Sequence, residues 1–197
     1  MTAFDKKLDS VFAQMKISKR PVVNYLQPGL SREYLLNATN ELPDTFPDEL
    51  VEMYLWKNGT HISSELITDQ VCFFPGYYFL SIEDALYEYT QLISISNCPD
   101  IIEDIKWNKY WFPVFSNAAG DFYSVCLGDV YNKSNVLKCF SYDLPFGQEA
   151  FATLSALMKT VYDCYREDIF YLGEDNLLKM NRKEFNRIRM QNNSLYR

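Results

Sequence analysis

Between Trp111 and Tyr142 the chain alternates short apolar runs with tight turns, and this run limits the fold more than any other stretch. Trp111 to Phe115, Phe122 to Leu127 and Val136 to Tyr142 read as strands. Ser116-Asn117-Ala118-Ala119-Gly120-Asp121 and Gly128-Asp129 read as turns. Short strands joined this way make an antiparallel meander.

Helices are predicted on either side. Phe4, Leu8, Val11, Phe12 and Met15 fall at helical spacing, and Arg20-Pro21 ends that helix because a residue before proline avoids the helical region. Ser31 is placed to cap a second helix through Thr39. The best-punctuated helix follows Leu42-Pro43. Asp44 or Thr45 would cap it, with Pro47 in its first turn and Phe46, Leu50, Met53 and Tyr54 on its apolar stripe. Asn58-Gly59 supplies the left-handed stop. Gln70 to Phe74 and Tyr77 to Leu80 read as extended. Ser81 with Asp84 opens a helix carrying Ile82, Ala85, Leu86, Tyr89 and Ile93, which Cys98-Pro99-Asp100 breaks. A long helix is predicted from about Gln148 to Arg166, and a capping box at Asn181 to Glu184 opens a last one through about Met190. Helices grouped around a mainly antiparallel sheet of about 4–6 strands make the fold class α+β. Residues 1–40 read as a helical extension packed on a domain spanning 41–197.

Apolar residues at 48% and charged residues at 23% are enough to build a core, so a disordered chain is excluded. Fifteen Tyr and fourteen Phe supply large rings for it, with some Tyr left for surface contacts. The formal charge of −7 is concentrated. Residues 41–110 carry three basic and thirteen acidic side chains, a net of −10. Such a middle repels nucleic-acid backbones and anionic lipids and suits a basic partner, although acidity also serves plain solubility. The acids on the predicted helix faces are Asp48, Glu49, Glu52, Glu83, Asp84 and Glu88; they are the candidate partner-binding residues. The basic segment Lys179 to Arg189 is diluted by Glu174, Asp175 and Glu184, and reads as a solvated helix or an internal partner for the acids.

Chemistry is hard to assemble from this sequence. His61 stands alone, so a two-histidine metal site is impossible and no cysteine has an obvious base. The sequence has no nucleophile elbow, phosphate loop or dinucleotide fingerprint. The carboxylate pairs Asp48/Glu52, Glu83/Asp84 and Glu103/Asp104 are what any acidic helix offers. Asn117 to Asp121 lacks the spaced oxygens and the bidentate Glu of a calcium loop. Trp56, Trp107 and Trp111 read as packing residues more than as a ligand platform. No catalytic residue, metal or cofactor is expected. The five cysteines, Cys72, Cys98, Cys126, Cys139 and Cys164, show no ligand spacing and read as buried, reduced thiols. With no apolar leader at the N-terminus and no apolar run of ~18 residues, the expected setting is the cytoplasm, without membrane insertion.

The order of these signals resembles the SUKH superfamily, which includes fungal cell-wall-assembly (glucan synthesis) regulators and bacterial toxin-immunity proteins. Leu42-Pro43 and the helix ending at Trp56-Lys57-Asn58-Gly59 resemble its opening "LP…NG" helix. Phe79-Leu80-Ser81-Ile82-Glu83-Asp84-Ala85 looks like its strand-to-helix step. Phe112-Pro113-Val114-Phe115 and Ala119-Gly120-Asp121-Phe122-Tyr123 are similar to its Gly-Asp hairpin, and Lys138 to Asp143 to its next strand. Phe151 and Leu154 to Met158 fall where the family has an "SF…L" helix, here without the Ser-Phe pair. The likeness covers roughly residues 40 to 165. It implies a non-enzymatic α+β domain that binds a protein. The leading expectation is an immunity protein occluding a basic toxin domain, a nuclease being one such. The alternatives are a regulatory scaffold with an endogenous partner and, less favoured, a carboxylate-dependent hydrolase.

Overall fold

The computed structural model describes residues 2–62, 68–98, 106–128, 134–140, 146–175 and 177–195. Helix α1 (Ala3–Ile17) leads through a 3-10 turn, Pro21–Asn24, to strand β1 (Leu26–Pro28) and helix α2 (Arg32–Ala38). Helix α3 (Asp48–Trp56) runs directly into β2 (Lys57–Thr60). A short α4 (Thr68–Val71), β3 (Tyr78–Phe79) and α5 (Ile82–Ser96) follow. Then come β4 (Trp111–Ser116), β5 (Phe122–Cys126), β6 (Val136–Cys139), β7 (Gln148–Phe151) and α6 (Leu154–Arg166). The hairpin β8 (Phe170–Leu172) and β9 (Leu178–Met180) precedes α7 (Arg182–Ser194).

Strands β3 to β7 lie in chain order in one antiparallel sheet, so the fold is α+β as expected. The first hairpin is closed by Asn117. Its Nδ2 donates to Asp121 Oδ2 at 3.0 Å, and its Oδ1 accepts from Asp121 N at 3.0 Å and Ala119 N at 2.8 Å. Side chains alternate faces along a strand, yet β4 and β5 are buried at successive positions, so both faces of the sheet are covered. Phe112 meets Tyr89 of α5 (6.0 Å between centroids) and Phe46 (4.7 Å), while Phe115 meets Phe73, Phe74 and Phe79. Burying a ring or branched side chain contributes about 1.5–3 kcal/mol, so this aromatic cluster dominates the core.

α1 belongs to the same core. Phe4, Leu8, Val11 and Met15 are buried and the helix packs on α6 and α3. Thr2 and Asp5 form a capping box that satisfies the free amides at its start. Strand β1 pairs antiparallel with β2, Leu26 opposite Thr60 and Pro28 opposite Lys57.

Several local expectations are corrected. β7 occupies Gln148–Phe151, where a helix was expected; Thr153 caps α6, its Oγ1 accepting from Ala156 N at 3.0 Å. Pairing with β6 overrides the helical spacing. Gln70 and Val71 are helical, and only Phe74 bridges Tyr77. α1 ends at Ile17, before Arg20-Pro21, because Lys19 turns left-handed at φ 52°. Pro47 is itself the cap residue of α3, without a side-chain bond, and neither Asp44 nor Thr45 caps it. Asn58-Gly59 does not stop α3, whose last residue is Trp56; the pair sits inside β2. Cys98 is exposed, not buried, and Cys126 is only partly covered. The expected helix break at Pro99-Asp100, the turn at Asp129, the end of the third strand at Tyr142, and the pair Glu103/Asp104 lie outside the described residues.

Candidate protein-binding surface

The structure divides the six candidate acids into three situations. On α3, Asp48 is exposed and Glu52 stands one turn further along the same face. Glu49 points inward. Its Oε2 accepts from Ser155 N at 3.0 Å and from the Ser134 hydroxyl, and its Oε1 accepts from the Ser155 hydroxyl. That carboxylate ties α3 to the start of α6 and is spent within the fold.

The other three acids open α5. Ser81 caps the helix, accepting from Asp84 N at 3.1 Å and donating to Asp84 Oδ2 at 2.7 Å. Glu83 Oε1 accepts from the Tyr34 hydroxyl of α2 at 2.8 Å and Oε2 from Asn58 Nδ2 at 3.0 Å. Partial burial pushes the Glu83 carboxyl up, but the bonds from Asn58, its own backbone and Tyr34 outweigh this and hold it below the usual carboxylate range. The same bond and charge push the Tyr34 phenol up. Glu88, one turn on from Asp84, is pushed up by its own burial and by the Asp84 charge. Asp84 and Glu88 therefore form a ridge of like charge.

The Asn58-Gly59 pair explains how α5 is seated. Asn58 Oδ1 accepts from Ile82 N at 2.8 Å while its amide donates to Glu83. Gly59, at φ 70°, passes so close to the next segment that a Cβ would lie 2.2 Å from Ser81 N and 2.4 Å from Leu80 C. The pair is a joint between β2 and α5, and at Gly59 it leaves no room for a side chain.

Glu52 has neighbours that sequence reasoning missed. Its Oε2 accepts from the Thr2 hydroxyl at 2.6 Å. α1 brings Asp5 and Asp9 alongside, and Asp9 Oδ1 accepts from Trp56 Nε1 at 3.1 Å. These three carboxylates, Trp56, Leu55 and a single guanidinium, Arg32, line an open groove of about 490 Å³. The signal for Asp5 and Asp9 was weak, two acids four apart on an ordinary solvated face; only the packing of α1 on α3 makes them a site. With one cation against three carboxylates, the groove suits a Lys or Arg side chain, which the Trp56 ring would also attract.

His61 is exposed, and among the described residues no group of three His, Cys, Asp or Glu could hold a metal ion. Glu83 and Asp84 are exposed and engaged at the helix start, which is not the deep acid-lined pocket of a carboxylate hydrolase. Trp107 and Trp111 are packing residues. Trp107 is buried, its Nε1 donates to Trp111 O at 2.8 Å, and both rings meet Phe146. Among the described residues no helix is long and apolar enough to cross a membrane.

An antiparallel sheet flanked by helices, with an Asn-Gly joint and a Gly-Asp hairpin, is consistent with a SUKH-type domain of the immunity or regulatory kind. The chain belongs to the SMI1 / KNR4 family (SUKH-1), whose model matches residues 29–156. No curated protein matches it.

Proposed function

We propose that this chain is a non-catalytic immunity-type domain that neutralises a cognate toxin in the cytoplasm by covering its basic surface. The observation that carries this reading is the convergence of Asp5, Asp9 and Glu52 beside Trp56, with Arg32 the one cation among the described residues that line the groove. Asp48 extends that acidic face by one turn, and the Asp84–Glu88 ridge on α5 offers a second. A nuclease toxin holds phosphates with Lys and Arg, so an acidic cover fits the residues it must block. Surface charges of this kind mainly accelerate encounter and weaken as salt rises. Free thiols support a reducing setting.

The test is co-expression with the toxin domain encoded beside the gene, followed by pull-down and a toxin activity assay. A complex and protection are expected, with both reduced by charge reversal at Asp9 and Glu52. Absence of complex and of protection overturns the reading. A complex with an endogenous protein instead, without protection, would transfer the role to a regulatory scaffold.

A further inference from the structure

A second groove, of about 590 Å³, carries the opposite charge. It lies between the ends of β5 and β6 and the first turns of α7. One wall is aromatic. Tyr77 stacks on Phe140 (5.8 Å, 16° between planes), and Tyr123 stands edge-on to both, at 4.9 and 5.4 Å. The other wall is α7, with Arg182, Phe185 and Arg189; Lys138 completes the rim, and among the described residues no carboxylate lines the groove.

Arg182 and Arg189 differ from their neighbours on the same stretch of chain. Lys179 pairs with Asp175 at 2.8 Å, and Arg187 pairs with Glu184 at 2.7 Å and Glu167 at 3.3 Å. Lys159 and Arg166 both reach Asp163. Among the described residues Arg182 and Arg189 have no ion pair, and the Nε of Arg189 is buried without a hydrogen-bond partner. An unpaired buried donor of this kind is costly unless an acceptor arrives. In a chain of net charge −7, such a gathering of cations around partly buried rings is a local reversal of sign.

We infer that this groove docks a short acidic peptide segment of a protein partner, with apolar or aromatic side chains between its carboxylates. Carboxylates meet Arg182 and Arg189 through paired N–H bonds, and the intervening side chains rest on Tyr77, Tyr123 and Phe140. A nucleic acid is the poorer occupant. Its long run of phosphates would extend past the groove toward a strongly acidic protein, whereas a short peptide need cover only the groove. The inference is independent of the acidic face, which takes a cation.

The probe is a fluorescein-labelled octapeptide of Asp, Glu, Phe and Leu, titrated with the full chain and read by fluorescence anisotropy. Saturable binding is expected, weakened about tenfold or more by Arg182→Glu with Arg189→Glu. It should be unchanged by Glu52→Lys and absent for a peptide with Lys in place of the acids. Arg182→Glu alone, at an exposed helix start where an acid favours the dipole, retains the fold and should weaken binding in the same direction if the double variant unfolds. The inference is overturned if the peptide does not saturate, if the variants bind as tightly as the parent, or if a labelled single-stranded oligonucleotide of equal charge binds more tightly than the peptide.

Discussion

Asn58 and Glu83 meet across 25 residues of sequence, the Asn58 amide donating to the Glu83 carboxylate at 3.0 Å while the Asn58 carbonyl holds Ile82 N at 2.8 Å. One side chain therefore adds to the Ser81 cap by accepting from the first amide of α5 and orients the helix's first acid. Asn58 is also nearly buried, so its loss leaves unsatisfied groups that water reaches poorly. Asn58→Ala should destabilise by about 2–3 kcal/mol. Urea denaturation checks this, and a change under about 0.5 kcal/mol would refute the role.

At Gly59 the obstacle is steric. A methyl group there meets the backbone of Leu80 and Ser81, which cannot swing aside, and φ 70° is itself unfavourable for alanine. Gly59→Ala should cost about 3 kcal/mol or more in thermal or urea melts. Glycine at position 76, where nothing lies within 4 Å, is the control for the conformational cost alone.

Glu49 and Glu52 are three residues apart and should separate stability from binding. Glu49→Ala strips Ser155 at the start of α6, and Ser134 ahead of β6, of a charged acceptor, which should cost about 3 kcal/mol. Glu52→Lys should leave the melt within about 1 kcal/mol of the parent. It should slow association with the partner, most visibly at low salt, in stopped-flow or biosensor traces.

The two α5 acids should respond oppositely to pH. The folded value of Glu83 lies below the usual range, so its ionised form stabilises at neutral pH, and that contribution is lost as pH falls through the folded value. The folded value of Glu88 lies above the usual range, so its contribution is fully present in acid and is lost as pH rises through the folded value. Glu83→Gln should therefore lower stability at about pH 7 more than at about pH 3, and Glu88→Gln should raise it at about pH 7. Urea midpoints at both pH values decide, and matching signs for the two variants would contradict the assignment.

Thiol reactivity should follow burial. Cys98 is exposed, whereas burial pushes the Cys139 and Cys164 thiols up to about 12. A chromogenic disulfide reagent should titrate one thiol quickly in the native protein and all five in denaturant. Rapid native reaction of Cys139 or Cys164 would show that the core around α6 and β6 opens.

What could be read from the sequence was what neighbouring residues decide. The Ser31, Ser81 and Asn181 caps and the Asn117–Asp121 turn close within four residues, and all stand as expected. β7 was hidden because Gln148-Glu149-Ala150 has no local reason to be extended; its reason is β6. β1 and β2 hold Pro28 and Gly59 and become strands only when they meet. The acids showed the same limit. Asp48 and Glu49 look alike on a helix, and only Ser134 and Ser155, far along the chain, make Glu49 internal. Asp5 and Asp9 joined Glu52 only through helix packing, and the Arg182/Arg189 groove needed β5 and β6 to supply its aromatic wall.

The capping bond of α1 has a practical side. Thr2, whose hydroxyl holds Glu52, lines the acidic groove, so a handle fused immediately before it would emerge there. An affinity handle joined there would hang over the acidic groove and compete for the ligand it was meant to retrieve. A bait for partner hunting is better carrying its handle elsewhere.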